Sequence, residues 1–285
     1  MKKIIYNKFD KREIASLPRA VFPGKIVVVT KPADAASAVD ALLASEILGV
    51  DTETRPAFRK GARYKVALLQ VSTHDTCYLF RLNKTGLTPD IKRFLEDTTV
   101  PKIGISWHDD LLGLHKLADF KPGLFIDLQN MVGKLGIEDL SLQKLYANIF
   151  HQKISKAQRL SNWEAPVLRE PQLLYAATDA WTCINLYEEM ERLISTGDYT
   201  LVVREDDSTA VSTPHAAGDQ QKSDGDEKST VANARKKTSP AKKKKSGGVK
   251  AAQKNRKKVK PAKKGFRGLG SLIRKIKQKM DKYGI

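Results

Sequence analysis

Apolar and polar positions alternate in short, well-punctuated blocks along the first two thirds of the chain. PGKIVVVT (23–30) predicts a strand, since β-branched residues are enriched and Pro-Gly breaks the chain before it. The Ala-rich PADAASAVDALLASE predicts a helix with Pro32 near its first turn. ILGVDTET predicts an apolar strand that ends in two acids. VALLQVST and TCYLFRL predict two strands joined at His74-Asp75, which has the spacing and turn chemistry of a hairpin. DIKRFLEDTT predicts a helix, PKIGIS a strand and WHDDLLGLHKLA a helix. From Ser141 to about Ile194 the pattern is helical, with Ser141 an N-cap for SLQKLYANIF and Pro171 close to the start of the helix holding LLYAATDAWTCINLYEEMERL. Hairpins early and βα alternation later imply an α/β domain over residues 1–203, a mixed sheet flanked by helices.

Beyond that point the pattern stops. Residues 204–230 are poor in large apolar residues and rich in Ser, Thr, Asp and Gly, so they predict an acidic and polar flexible linker. Residues 231–264 repeat Lys, Ala and Pro, a basic low-complexity run expected to be disordered. In residues 265–285, Leu269, Leu272, Ile273, Ile276 and Met280 fall at helical spacing among Lys and Arg, which predicts a short basic amphipathic helix.

Charge divides the same way. Of the formal net charge of +19, residues 1–200 contribute +3, residues 201–230 contribute −4 and residues 231–285 contribute +20. The 41% hydrophobic content can build a sizeable core in a chain of 285 residues. Cys77 and Cys183 stand far apart with no CxxC or His-rich spacing, which supports neither a disulfide framework nor a zinc site and suits a reducing interior. No apolar run follows the N-terminal lysines and no run of about 18 apolar residues occurs, so neither a secretory signal nor a membrane span is expected.

The candidate chemistry lies in three separated segments: Asp51 and Glu53 in ILGVDTETRP, Asp110 in KIGISWHDDLLGLHKL, and Tyr175 with Asp179 in LLYAATDAW. Asp51 and Glu53 are two apart on a predicted strand and so point to one face. Asp110 opens a predicted helix that follows a strand, where open α/β sheets commonly place functional groups. Tyr175 and Asp179 are neighbours one helical turn apart. Four carboxylates gathered from these segments would repel one another unless a cation compensated them, and hard divalent ions prefer oxygen ligands. Such a set could hold two Mg²⁺ ions, the minimal equipment for hydrolysing a phosphodiester. Tyr175, with an ordinary pKa of about 10, is a poor base and better suited to orienting the attacking water. Singly, each piece also has a structural reading: an ordinary helix surface for Tyr175 and Asp179, or an acid favouring a helix dipole for Asp110.

Taken in order, VDTET, KIGISWHDDL, FIDLQ, SLQKLYANIF, Gln158 to Ser161 to Trp163, and YAATDAW resemble the DEDD superfamily of 3′–5′ exonucleases, and are similar to the catalytic domains of ribonuclease D and the Werner-syndrome exonuclease. The match covers roughly residues 24–195. It implies an RNase H-like fold, two Mg²⁺ or Mn²⁺ ions, and stepwise release of nucleoside monophosphates from the 3′ end of single-stranded or frayed nucleic acid. By motif it makes Asp51, Glu53, Asp110 and Asp179 the metal ligands and Tyr175 the water-positioning residue. The histidine subtype carries His five residues before the last Asp; here that position is Leu174, which indicates the tyrosine subtype. Asp109 and Asp110 are adjacent, and alignment with KIG in the preceding strand favours Asp110. A catalytically silent nucleic-acid-binding module of the same fold is the alternative, disfavoured because all five positions are filled.

Other residues are expected to be structural. His108 is read as a surface residue because Mg²⁺ does not favour nitrogen. Asp127 is read as a buried acid paired with a helix or loop, and Trp163 and Tyr146 as core. Lys156 and Arg159 could meet substrate phosphate or be merely solvated. The basic tail is read first as a phosphate-backbone tether, ahead of docking on an anionic membrane or simple solubility. Neither DNA nor RNA is selected by any motif here. A cytoplasmic location is expected for a bacterial source, and a nuclear one, through KKTSPAKKKK, for a eukaryotic source.

Overall fold

A computed structural model describes residues 2–205; the basic tail, the terminal helix and nearly all of the expected linker lie outside the described residues. Eight strands appear in chain order: β1 (Lys3–Tyr6), β2 (Lys25–Val29), β3 (Leu48–Thr54), β4 (Val66–Ser72), β5 (Thr76–Phe80), β6 (Lys102–Gly104), β7 (Phe125–Asp127) and β8 (Tyr199–Val202). The helices are α1 (Lys11–Ile14), α2 (Ala35–Leu43), α3 (Leu82–Thr85), α4 (Pro89–Glu96), α5 (Trp107–His115), α6 (Gln129–Val132), α7 (Leu142–Phe150) and α8 (Glu170–Thr196).

Six strands form one mixed sheet in the order β2-β5-β4-β3-β6-β7. Strand β4 runs antiparallel to both of its neighbours, β3 and β5, while β2–β5, β3–β6 and β6–β7 are parallel. The β4–β5 hairpin closes at the expected turn, where the Thr73 amide donates to the Thr76 carbonyl at 2.8 Å and the Thr73 hydroxyl accepts from the Thr76 amide at 3.0 Å.

The pleat sorts β3 into two faces. Leu48 and Val50 enter a core with Val39 and Leu42 of α2, Phe94 and Leu95 of α4, and Trp107 and Leu114 of α5. Residues 49, 51 and 53 point the other way, toward α8. On that side Leu68 and Leu79 pack with Ala176, Ala177 and Trp163. Gly49 lets α8 approach closely: a Cβ there would lie 1.9 Å from the Ala180 carbonyl oxygen. Small residues on both surfaces therefore bring the backbone next to Asp179 against the strand that carries Asp51.

Two departures from the sequence pattern matter. The predicted helical stretch after Ser141 is interrupted. Ser141 does cap α7, accepting from the Lys144 amide, but α7 ends at His151 in the left-handed region (φ 52°), and residues 151–169 form an irregular segment before α8. Local periodicity cannot separate two helices from one when the break is made by tertiary hydrogen bonds. The polar lead-in also contains a strand: β1 pairs in parallel with β8, the two ends of the described region meeting in a separate two-stranded sheet. With four residues each and Ile5 the one fully buried side chain of β1, these strands leave almost no periodic signal.

Candidate active site

The site is assembled where β3, α5 and α8 meet. Asp51 and Glu53 project from β3 toward α8, and oxygens of Asp51, Glu53 and Asp179 all lie within 4.8 Å of one another. Tyr175 stands one turn before Asp179 on α8, its ring centroid 5.9 Å from that of the fully buried Trp163.

Asp110 arrives from the opposite face of the sheet. Helix α5 begins at Ser106, held in the left-handed region (φ 60°), and the Asp127 carboxylate accepts from the Ser106 and Trp107 amides at 3.1 and 3.0 Å. The Trp107 indole donates to the Ile126 carbonyl at 3.1 Å and stacks edge-on against Phe125. This clamp fixes the first turn of α5, so that Asp110 accepts a short hydrogen bond from the hydroxyl of Thr52, the β3 residue between Asp51 and Glu53. Asp109 is exposed while Asp110 is half-buried. Of the adjacent pair, Asp110 is the one that reaches β3, although it stands outside the tight cluster of three. Asp127, expected as a buried acid paired with a helix or loop, is only half-buried; it does pair with a helix, capping the start of α5.

Electrostatics at this point are unfavourable for bare carboxylates. Burial, then the Asp179 and Asp110 charges, push Asp51 well above the usual range, and Glu53 is raised by burial and by all three neighbours. Asp179 rises to about 7 through burial, opposed by contact with the Tyr175 hydroxyl and by Lys156. Asp110 rises to about 6, again chiefly through burial, opposed by the Thr52 hydrogen bond. Tyr175 is pushed far above its ordinary value by burial and by Asp179 and Glu53, so its hydroxyl keeps its proton.

A depression of about 300 Å³ opens beside Asp179 and Tyr175 and is lined by Lys156 and Arg159. Both cations come from the 151–169 segment, and that segment is held by side chains of and beside α3: Arg81 donates to the Ala165 carbonyl at 2.5 Å, Lys84 to the Pro166 carbonyl at 2.6 Å and Asn83 to the Glu164 carbonyl at 3.4 Å. The Gln172 amide secures Ser161 at 2.9 Å. Trp163 and Tyr146 are buried core residues and His108 is exposed, as expected. Cys77 and Cys183 are both free and buried.

The donor set fits a hard divalent cation. It is all oxygen, its members repel one another, and Asp179 Oδ1 is buried without a hydrogen-bond partner. An orphaned carboxylate oxygen in such a place is a ligand position that protein hydrogen bonds leave open. Three contributors escaped the sequence reading. Thr52 lies inside the D-x-E motif, where the strand alternation turns it to the α5 face. Gln70, fully buried, sits opposite Asp51 in the β3–β4 register with neither polar side-chain atom partnered. Arg81, 1% exposed, has no local signal, because its target is a loop carbonyl 84 residues away.

The 3′–5′ exonuclease family matches residues 26–195. Mouse "Bifunctional 3'-5' exonuclease/ATP-dependent helicase WRN" is 30% identical over 188 residues, 62% of this chain and 13% of that protein. Ribonuclease D of Haemophilus influenzae is 26% identical over 211 residues, 73% of this chain and 52% of that enzyme. The chain thus spans a small part of the first relative and about half of the second. Among solved structures, the Nibbler EXO domain of Aedes aegypti superposes with a TM-score of 0.57 at 19% identity, covering 63% of this chain and 94% of that one, a likeness of fold. With the family matching more than half of its length, the chain belongs to the 3′–5′ exonucleases.

Proposed function

We propose that the protein removes nucleoside monophosphates stepwise from the 3′ end of single-stranded or frayed nucleic acid, in a reaction that requires Mg²⁺ or Mn²⁺. The observation that carries this reading is the packing of Asp51, Glu53 and Asp179 oxygens within 4.8 Å around an unpartnered buried Oδ1. Together with Asp110, these residues would hold two Mg²⁺ ions, which supply Lewis-acid activation of water and charge neutralisation at the departing 3′ oxygen.

The chain's own groups do the positioning. Burial and the neighbouring acids push the Tyr175 hydroxyl away from ionisation in the metal-free protein, and its role is to orient the attacking water as a hydrogen-bonding group. Packing of its ring on Trp163 fixes the direction of the hydroxyl. Lys156 and Arg159, beside the carboxylates, receive the phosphates next to the scissile bond. Thr52 and the Asp127 cap hold Asp110 in register. The basic tail adds sequence-independent affinity, since the body contributes only +3. The same charge distribution is compatible with a cytoplasmic or nuclear site of action.

The test is incubation of 5′-labelled DNA and RNA strands with the full chain and Mg²⁺, beside an Asp51→Ala control. Metal-dependent shortening from the 3′ end, absent in the variant, is expected. Intact strands that are nevertheless bound would mean a silent binding module instead.

A further inference from the structure

Between β3 and β4 the chain leaves the sheet for residues 55–65, beginning two residues after Glu53. Five of these eleven residues are Arg or Lys and none is acidic. The foot of the loop is fixed: the Arg55 guanidinium lies over the Tyr64 ring at 4.7 Å, and its Nη1 reaches Glu164 Oε2 at 3.3 Å in the segment that also carries Lys156 and Arg159. The tip is not folded back. Phe58 is 78% exposed, its neighbours Arg59 and Lys60 are exposed, and Gly61 takes φ 83° to turn the chain. Arg59, Lys60, Arg63 and Lys65 make no ion pair among the described residues.

Leaving a phenyl ring in water forgoes about 1.5–3 kcal/mol of burial, and four unpaired cations side by side repel one another. Both penalties are relieved by a polyanion that carries flat aromatic groups. Resting on the exonuclease reading above, we propose that the β3–β4 loop is the track for the strand upstream of the cleaved nucleotide. In this arrangement Arg59, Lys60 and Arg63 neutralise successive phosphates while Phe58 stacks on a base. A 3′ terminus bound at Asp51 and Glu53 leaves the rest of the strand on its 5′ side, and this loop rises directly from the strand that carries both acids. Stacking tolerates any base, which suits stepwise digestion through changing sequence. The fixed foot and free tip let the track keep its place beside the site while adapting to the strand.

The experiment uses the full chain, a fluorescein-labelled 20-nucleotide single strand and fluorescence anisotropy in metal-free buffer at several salt concentrations. The triple variant Arg59→Gln/Lys60→Gln/Arg63→Gln is expected to shrink the slope of log K against log salt by about 2, at about 0.7 per lost phosphate contact on a single strand. Phe58→Ala is expected to raise Kd about 5-fold or more, with Phe58→Trp restoring it and an abasic strand showing no such effect. An unchanged slope in the triple variant, or a Phe58→Ala effect equally large on the abasic strand, would overturn the proposal. The ratio of kcat/KM on the 20-mer to kcat/KM on a dinucleotide should fall in both variants. Strand binding through the loop with no cleavage of either substrate would sink the exonuclease reading alone; cleavage of both substrates with an unaltered ratio would sink the loop's role alone.

Discussion

Replacing Asp179 by Asn should make the metal-free protein more stable at neutral pH, an unusual outcome for a change at a buried site. The carboxyl moves from its ordinary 3.8 to about 7 in the folded chain, mainly through burial. At 1.36 kcal/mol per pH unit, that displacement is a penalty on the order of 4 kcal/mol when the group is ionised. A raised carboxyl binds its proton more tightly in the folded state, so between about pH 4 and 7 the folded chain holds more protons than the unfolded one, and stability falls as pH rises. Structural relaxation and the contacts that Asn cannot keep should leave about half of the penalty as a gain. For a domain of this size, ~2 kcal/mol corresponds to an increase of about 4–8 °C in Tm. The assay is thermal unfolding of wild type and Asp179→Asn in EDTA at pH 5 and 7.5, repeated at pH 7.5 with Mg²⁺. The advantage of the variant should grow from pH 5 to pH 7.5, and added Mg²⁺ should stabilise the wild type and not the variant. An advantage that fails to grow with pH, or an equal Mg²⁺ response in both proteins, would refute the reasoning.

Tyr175→Phe keeps the ring against Trp163 but loses the hydroxyl, so kcat should drop about 100-fold with KM little changed, measured on a labelled strand. Asp110→Ala should abolish most activity while Asp109→Ala retains it in the same gel assay, because Asp110 alone of the two reaches Thr52. Trp163→Ala removes a fully buried indole and should cost about 3–5 kcal/mol, read as a shift in the urea midpoint. Ending the chain at Glu205 should weaken single-strand binding and flatten its salt dependence, measured by anisotropy, as the +20 of residues 231–285 is lost.

Much of the fold was legible because its strands are short, β-branched and bounded by Pro, Gly and turn residues, and because βα alternation after a hairpin leaves few sheet arrangements. Strands β2 to β6 and helices α2, α5 and α7 lie within the predicted stretches, and α4 begins one residue earlier, at Pro89. The β1–β8 pair was invisible for the opposite reason. Its partners are four residues long and 193 residues apart between Tyr6 and Tyr199, so the pairing lies in the tertiary structure and in no local pattern. The irregular 151–169 segment is similar: its carbonyls are held by Arg81, Asn83 and Lys84, donors more than 80 residues away.

For the candidate site, sequence determined the residue types and their local geometry. The two-residue spacing of Asp51 and Glu53 puts both on one side of a strand, and the four-residue spacing of Tyr175 and Asp179 puts both on one side of a helix. These are consequences of backbone periodicity, which needs no knowledge of distant neighbours. Only the tertiary structure decided how closely the segments approach and how each acid is charged. Gly49 lets α8 touch β3, Asp127 aims α5 so that Asp110 and not Asp109 meets Thr52, and the burial produced by both packings drives the carboxyls toward protonation. Proximity and desolvation depend on groups far apart in the chain, and they gather the oxygens of Asp51, Glu53 and Asp179 within 4.8 Å of one another.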